Sequence, residues 1–141
     1  MTETTLILPW PPSALSPNAR PHWRTLARVK AAYRKACALS VSEQQVPSPK
    51  WDRMDVRLVF IAPDRRKRDR DNLGASMKAG LDGLADAWRI NDNRFARVSA
   101  EIAETLMPAK GAAHVLVMVS EHFRPWVIER GVDGLPVGAK L

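Results

Sequence analysis

The sequence lacks the residues on which several common kinds of small protein depend. Its 141 residues include one cysteine, Cys37, so an internal disulfide is excluded. The three histidines are scattered, and together with one cysteine they give no zinc-ligand spacing. Neither a phosphate-binding G-x-x-x-x-G-K-[ST] loop nor a dinucleotide-binding G-x-G-x-x-G motif occurs. These absences argue against a disulfide-stapled protein, a zinc-centred protein and the common nucleotide-binding folds.

Long apolar runs are also missing. No stretch reaches the ~18 consecutive apolar residues that indicate a membrane-spanning helix. The start, MTETTLILPWPPS, has no basic region followed by a long apolar one. A lone cysteine is typical of a reducing compartment. We therefore expect a cytoplasmic protein with no membrane partner.

Positive charge is abundant and unevenly distributed. Lys and Arg outnumber Asp and Glu by 22 to 15, a formal net charge of +7, and the excess lies in the first two thirds of the chain. A pI near 10.2 favours a polyanionic partner. Nucleic acid is a better candidate than a membrane, because no basic amphipathic segment carries an aromatic insertion face.

The pattern of apolar residues predicts six elements and one domain. Strands are predicted at 4–10, 54–63, 95–107 and 113–120, and helices at 24–42 and 72–88. The order β-α-β-α-β-β predicts an α+β fold, a small mixed sheet packed against helices. The last two strands are expected to pair as an antiparallel hairpin. Residues 121–141 show no clear period and are interpreted as a tail.

Both predicted helices carry one apolar stripe. In the first helix it consists of Leu26, Val29, Ala32, Tyr33, Ala36 and Leu39, with basic residues elsewhere on the wheel. In the second it consists of Leu73, Met77, Leu81, Leu84 and Trp88. On a continuous second helix, Asp71, Lys78 and Asp82 fall close together on another face. Any chemistry of this helix is therefore expected on the side that faces away from the core.

The most basic stretch, residues 64–72, reads DRRKRDRDN and interleaves acids with bases. Asp69 and Asp71 lie between a predicted strand and a helix, where simple helix capping also favours acids. Three features favour a functional site instead. Asp92, in the INDN turn after the same helix, can fold back toward Asp69 and Asp71. Lys78 shares a helix face with Asp71, and arginines flank the two acids. Two interpretations stay open: a self-neutralising solvated loop, or carboxylates that hold a metal beside cations that hold a phosphate.

Carboxylates and cations in this arrangement suit the hydrolysis of a phosphodiester. Mg²⁺ takes oxygen ligands and keeps several waters, so two or three carboxylates and a phosphate oxygen are its usual partners. A lysine such as Lys78 can neutralise the leaving oxygen, or orient and deprotonate the attacking water. A calcium-binding EF-hand is excluded, because a loop that starts at Asp69 would need an oxygen ligand at Leu73 and a glutamate at Gly80.

Five segments occur in the order LPWPPS, PDRRKRDRDNL, KAGLDGL, NDN and MPAKG, between about residues 6 and 120. In this order they resemble the RusA family of Holliday junction resolvases, in the form carried by phages and prophages. The specific part is R-D-x-D-N followed by K-A-x-x-D-x-L. The resemblance implies a RusA-like nuclease domain over residues 1–120 and a tail over 121–141. It also implies a homodimeric endonuclease that uses Mg²⁺, for which Mn²⁺ can substitute, to nick four-way DNA junctions symmetrically in recombination and repair.

Carried over by position, the resemblance also assigns residues. Metal binding falls to three acids, and catalysis to the same acids and one lysine: Asp69, Asp71, Asp92 and Lys78. The best-known form has its lysine four residues after the second aspartate, where this chain has Ala75, and Asn91 stands where the family often has an acid. Because offsets of four and seven residues return to nearly the same helix face, Lys78 is expected to reach the site one turn further along.

The basic surface is expected to contact the DNA backbone. The candidates lie in the arginine-rich loop and the first helix: Arg65, Arg66, Lys67, Arg68, Arg70, Arg24 and Arg28. Taken singly, each is better explained as an ordinary solvated side chain. Trp10, Trp23 and Trp88 are expected to pack in the core or at an interface. Two other functions stay open: a metal-dependent nuclease for flaps or single strands, and a DNA-binding module in which the acids only cap a helix.

Overall fold

A computed structural model describes residues 3–103 and 112–122, and it has the predicted α+β architecture. The order of elements is β1 Thr4–Pro9, α1 Trp23–Gln44, β2 Met54–Ile61, α2 Arg70–Ala75, α3 Lys78–Trp88, β3 Phe95–Ile102 and β4 His114–Glu121. Short 3-10 turns precede α1 and β3, at Ser13–Leu15 and Asp92–Arg94. Four strands form one mixed sheet. The predicted strand end at 103–107, its connection to β4 and most of the tail lie outside the described residues.

The sheet corrects the predicted hairpin. Its strand order is β1-β4-β2-β3, so β4 lies between β1 and β2 and pairs antiparallel with both. The strand β3 pairs parallel with β2 instead of with β4. The physical reason is that α2 and α3 form a crossover between β2 and β3, which returns the chain parallel to β2. In addition, β2 is buried along most of its length and therefore needs a neighbour on each side.

The core lies between one face of the sheet and the helices α1 and α3. Alternate residues of three strands belong to it: Leu6, Leu8, Met54, Val56, Leu58, Phe60, Val115, Val117 and Val119. The predicted stripe of the second helix is confirmed for Met77, Leu81, Leu84 and Trp88, which are all buried, whereas Leu73 is partly buried and packs against the core. The predicted stripe of α1 is partly wrong. Its buried residues are Tyr33, Cys37 and Val41, whereas Leu39 is 57% exposed.

The predicted helix 72–88 is broken into α2 and α3 at Ser76 and Met77. The Ser76 hydroxyl donates to the Asn72 carbonyl oxygen at 2.8 Å, and the Ser76 N–H is shared between the Asn72 and Leu73 carbonyls. Met77 adopts φ −89° and ψ 0°, a conformation between regular helix and strand. Its fully buried side chain accepts a hydrogen bond from the Tyr33 hydroxyl. The break lets α3 take its own direction against α1, so a single helical wheel does not apply to Asp71 and Lys78 together.

Two glycines let α3 approach α1 closely. A methyl group at Gly83 would lie 2.3 Å from the Arg34 carbonyl oxygen, and one at Gly80 would lie 2.9 Å from the Tyr33 ring. Beside this contact, Arg34 donates two hydrogen bonds to Asp86, at 2.6 and 2.8 Å. The position of α3, which carries Lys78 in its first turn, is therefore fixed by packing against α1. Within the described ranges, no helix is both long and apolar enough to cross a bilayer.

Candidate functional site

The arginine-rich loop is shaped by one of its own acids. Asp64 accepts a hydrogen bond from the Arg66 N–H at 2.9 Å, which forms a local turn. The same carboxylate lies 2.9 Å from the Arg68 guanidinium, and that hydrogen bond holds the pKa of Asp64 below its usual value. Arg68 also donates to the carbonyl oxygens of Asp64 and Arg66. An acid in this basic stretch thus serves to fold the loop.

Arg68 anchors the loop and differs from the other basic residues. Its side chain is only 15% exposed and its guanidinium lies 5.6 Å from the ring centroid of Trp10, which in turn packs edge-to-face on Phe60. Six further predicted DNA contacts are exposed: Arg65, Arg66, Lys67, Arg70, Arg24 and Arg28. Arg68 therefore has a structural use that the sequence pattern did not indicate, and the exposed six are better placed to contact phosphates.

Asp69 and Asp71 begin α2. One oxygen of Asp69 accepts hydrogen bonds from the N–H groups of Asp71 and Asn72, at 2.8 and 3.1 Å, so Asp69 is the N-cap of this helix. The side chain of Asp71 is 90% exposed and lies 3.8 Å from the Arg70 guanidinium. The capping interpretation thus accounts for Asp69, whereas Asp71 is directed to solvent at the edge of a groove.

Lys78 joins two acids from separate segments. Its ammonium donates to Asp82, one turn along α3, at 3.0 Å and to Asp92 at 2.8 Å. Asp92 reaches this position because Arg89 ends α3 in the left-handed conformation, with φ 55°, and the chain then turns back. The Asn91 side chain caps the following 3-10 turn by accepting from the Asn93 N–H. Asn91, which replaces an acid of the RusA pattern, therefore shapes the turn that presents Asp92.

The ion pairs shift the pKa values of their members. The hydrogen bonds from Lys78 to Asp92 and then to Asp82 raise the pKa of Lys78, and the same contact lowers the pKa of Asp92. Lys78 is therefore fully protonated at neutral pH. In this state Lys78 can act as a charged donor to a phosphate oxygen. Its ammonium is accessible, since the side chain is 70% exposed.

Three surface depressions meet at Lys78. Asp71 and Lys78 line the same groove of about 370 Å³, together with Gly74 and Ala75. A second depression, of about 380 Å³, contains Lys78, Asp82, Asn91 and Asp92. A third, of about 680 Å³, extends from Lys78 to the loop before α1. The structure thus brings Lys78 and Asp92 into contact and places Asp71 on the same groove, while Asp69 lines the adjoining depression with Arg70.

The carboxylates as they stand do not form the metal site that the resemblance implies. Over residues 3–103 and 112–122, no three Asp, Glu, His or Cys side chains are close enough to hold a metal ion together. One oxygen of Asp69 serves α2, and Asp92 is held by Lys78. Metal ligation by Asp69, Asp71 and Asp92 stays a prediction of the resemblance.

Sequence periodicity did not indicate the surroundings of Arg34 or of Trp23. Arg34 was one of several basic residues on the α1 wheel, but it borders the depression that contains Lys78 and Asp92, and it is paired with Asp86. Trp23 is not a core residue, since it is 67% exposed at the start of α1, with the Arg24 guanidinium 5.1 Å from its ring centroid. Trp88 is buried, as expected, and donates to the Val46 carbonyl oxygen. The apolar stripe of the second predicted helix includes Trp88 and indicates its burial, whereas Trp23 belongs to no such stripe.

Over the described residues, fold and site together define a small α+β protein with a four-stranded mixed sheet and a groove, lined in part by Asp71 and Lys78, at the junction of α2 and α3. No protein-family model matches the chain. An uncharacterized protein from Xylella fastidiosa is 42% identical over 94 residues, which represent 64% of this chain and 61% of the relative. The chain thus spans less than two thirds of the length of that relative. This similarity carries no statement about activity.

Proposed function

We propose that the chain is an endonuclease of the RusA type that nicks branched DNA, with four-way junctions as its main substrate. The supporting observation is the groove that Asp71 and Lys78 share and that Lys78 extends to Asp92. Acids from two distant segments thus border two accessible depressions that meet at Lys78. The exposed arginines of the preceding loop lie on the N-terminal side of the same α2 helix.

Each part of this surface suits a phosphodiester in a different way. The exposed arginines attract the backbone without reading bases, and their contribution weakens as salt rises. Lys78 offers a fixed positive charge to a non-bridging or leaving phosphate oxygen. Asp82 and Asp92 hold that charge in place through hydrogen bonds of 3.0 and 2.8 Å. The proposal also includes a requirement for Mg²⁺ or Mn²⁺ and a homodimer, and both are taken from the resemblance to the RusA family.

A second candidate is a DNA-binding module that selects branched structures and does not cut them. The capping role of Asp69 and the lack, over the described residues, of a group of three acids favour it. Both candidates bind branched DNA, but only the endonuclease cleaves it. A nuclease for flaps or single strands differs from both in its preferred substrate.

The deciding experiment compares nicking of a synthetic four-way junction, a flap and a linear duplex, each with Mg²⁺ and with Ca²⁺. We expect nicking of the junction with Mg²⁺, and its loss by a factor of about 10² or more in Asp71→Asn and in Asp92→Asn, as for removal of an essential polar group. Junction binding should stay equal or become tighter, because a lost carboxylate repels phosphate less. Asp52→Asn, an exposed acid remote from α2 and α3 in sequence, is the matched control and should cut normally.

Other outcomes have defined meanings. Binding without nicking in every metal would favour the DNA-binding module. Faster nicking of the flap would favour the flap nuclease. Full nicking by either asparagine variant would remove the groove from the active site. Light scattering of the protein in solution tests the homodimer independently of activity.

A further inference from the structure

One surface depression lies beside the proposed site and has no role in it so far. It measures about 680 Å³ and is enclosed by the loop before α1, by α1 itself and by the α2–α3 junction. Pockets for small organic ligands measure roughly 300–1,000 Å³, so one nucleotide fits. Lys78 lines both this cavity and the groove that contains Asp71.

The walls of this cavity suit a base on one side and a phosphate on the other. The loop contributes Leu15 and Pro17, and α1 contributes Leu26, so one wall is apolar. On the next turn of α1, the exposed Lys30 also lines the cavity. Lys30 forms no ion pair among the described residues, in contrast to Lys78, which holds Asp82 and Asp92. An unpaired cation beside an apolar wall suits the phosphate and the base of a nucleotide.

We propose that this cavity receives one unstacked nucleotide of the bound DNA strand, next to the phosphate held at Lys78. The base would lie against Leu15, Pro17 and Leu26, and its phosphate would contact Lys30. This inference rests on the proposed function, because a strand must first be held in the groove. It extends that function by a preference for DNA whose bases at the branch point are free to leave the stack.

The experiment uses a junction with 2-aminopurine, a base whose fluorescence rises on unstacking, on either side of the nicked bond. EDTA prevents cleavage while binding is measured. We expect fluorescence to rise on binding of the wild type and to stay low with Ala31→Trp, which fills the cavity from an exposed position of α1. Ala36→Trp, on an exposed site of α1 outside the cavity lining, is the matched control and should keep the rise.

A second pair of variants tests the phosphate contact. Lys30→Ala should weaken junction binding and lower the slope of log affinity against log salt by about 1, as expected for one lost phosphate contact. Lys35→Ala removes an exposed lysine of the same helix that does not line the cavity, and it should change the slope less. Free deoxyadenosine monophosphate in large excess should not suppress the rise, since the nucleotide comes from the bound strand.

Several results would overturn the inference. Binding without a rise at either position, or an equal rise with Ala31→Trp, would show that the cavity takes no base, while junction binding and nicking would leave the proposed function intact. Loss of dimerisation in Ala31→Trp would assign the cavity to a second copy of the chain. Suppression of the rise by free nucleotide, with the junction still bound, would assign it to a free ligand. A protein that does not bind branched DNA at all would refute both proposals.

Discussion

Substitution of Gly83 by alanine should separate the two helices that form the core. A methyl group at this position would lie 2.3 Å from the Arg34 carbonyl oxygen and 3.0 Å from Cβ of Cys37. An ordinary contact begins near 3.4 Å, so α3 must move by about 1 Å from a well-packed neighbour. The nearest atom belongs to the backbone of α1, and it has no side-chain rotation with which to move away.

Two opposing terms set the size of this effect. Replacing glycine by alanine inside a helix gains about 1 kcal/mol from helix propensity. Overpacking of a rigid interior costs about 1–3 kcal/mol and sometimes more, and a backbone contact places this site at the upper end. We therefore expect a net loss of about 2 kcal/mol in the free energy of unfolding. For a chain of this size that loss lowers the melting temperature by about 8 °C.

Thermal and urea unfolding, followed by circular dichroism, measure the loss. Gly74→Ala is the control, because a methyl group there would meet only the side-chain methyl of Ala100, at 3.2 Å. It should melt within a few degrees of the wild type. A Gly83→Ala protein that melts at or above the wild-type temperature would refute the close packing of α1 on α3. Because α3 carries Lys78, such a result would also question the position of Lys78 beside Asp92.

Three further measurements test the site. Asp92→Asn should lower the pKa of Lys78, because the hydrogen bond to Asp92 is the main cause that raises it; an unchanged value by lysine-selective NMR would disprove the contact. Arg34 lowers the pKa of Asp86, and Lys78 lowers the pKa of Asp92. Both ion pairs therefore stabilise the fold at pH values above the usual aspartate pKa. Their contribution to stability is lost as the pH falls through the lowered pKa values. Urea midpoints should therefore decline on acidification, and Asp86→Asn should make the decline shallower; an identical decline would contradict this. Trp23→Ala should weaken binding of branched DNA by about fivefold or more if the ring stacks on a base, without a change in melting temperature, because the side chain is 67% exposed. Unchanged affinity would leave Trp23 without a role in binding.

Local patterns were sufficient to predict most of the elements. The alternation of β2 and the stripe from Met77 to Trp88 were read correctly, because burial on one face imposes a period on the sequence. The capping alternative for Asp69 was also correct, since an acid before a helix bonds to N–H groups only two and three residues away. These features depend on contacts that are short in sequence, and such contacts leave a pattern that can be recognised.

The errors arose where distant segments decide the result. The pairing of β4 with β1 and β2 depends on competition among four strands, and a chain order cannot reveal it. The buried side of α1 was misread because many of its residues are alanines, whose small size leaves the period weak, and the position of α3 selects Tyr33 and Cys37. The break at Ser76 was also missed, because a helical wheel assumes one continuous helix and takes no account of how α3 packs against α1.

The sequence by itself determined an α+β chain with excess positive charge, a DRRKRDRDN loop before a helix and acids on both sides of that helix. Only the tertiary structure decided that Asp92 meets Lys78, that Asp71 borders the same groove, and that Arg68 packs on Trp10 instead of facing solvent. The physical reason is that residue types and their local spacing fix the secondary-structure propensity and the distribution of charge along the chain. The contact between two side chains on different segments is fixed by the packing of whole helices against the sheet.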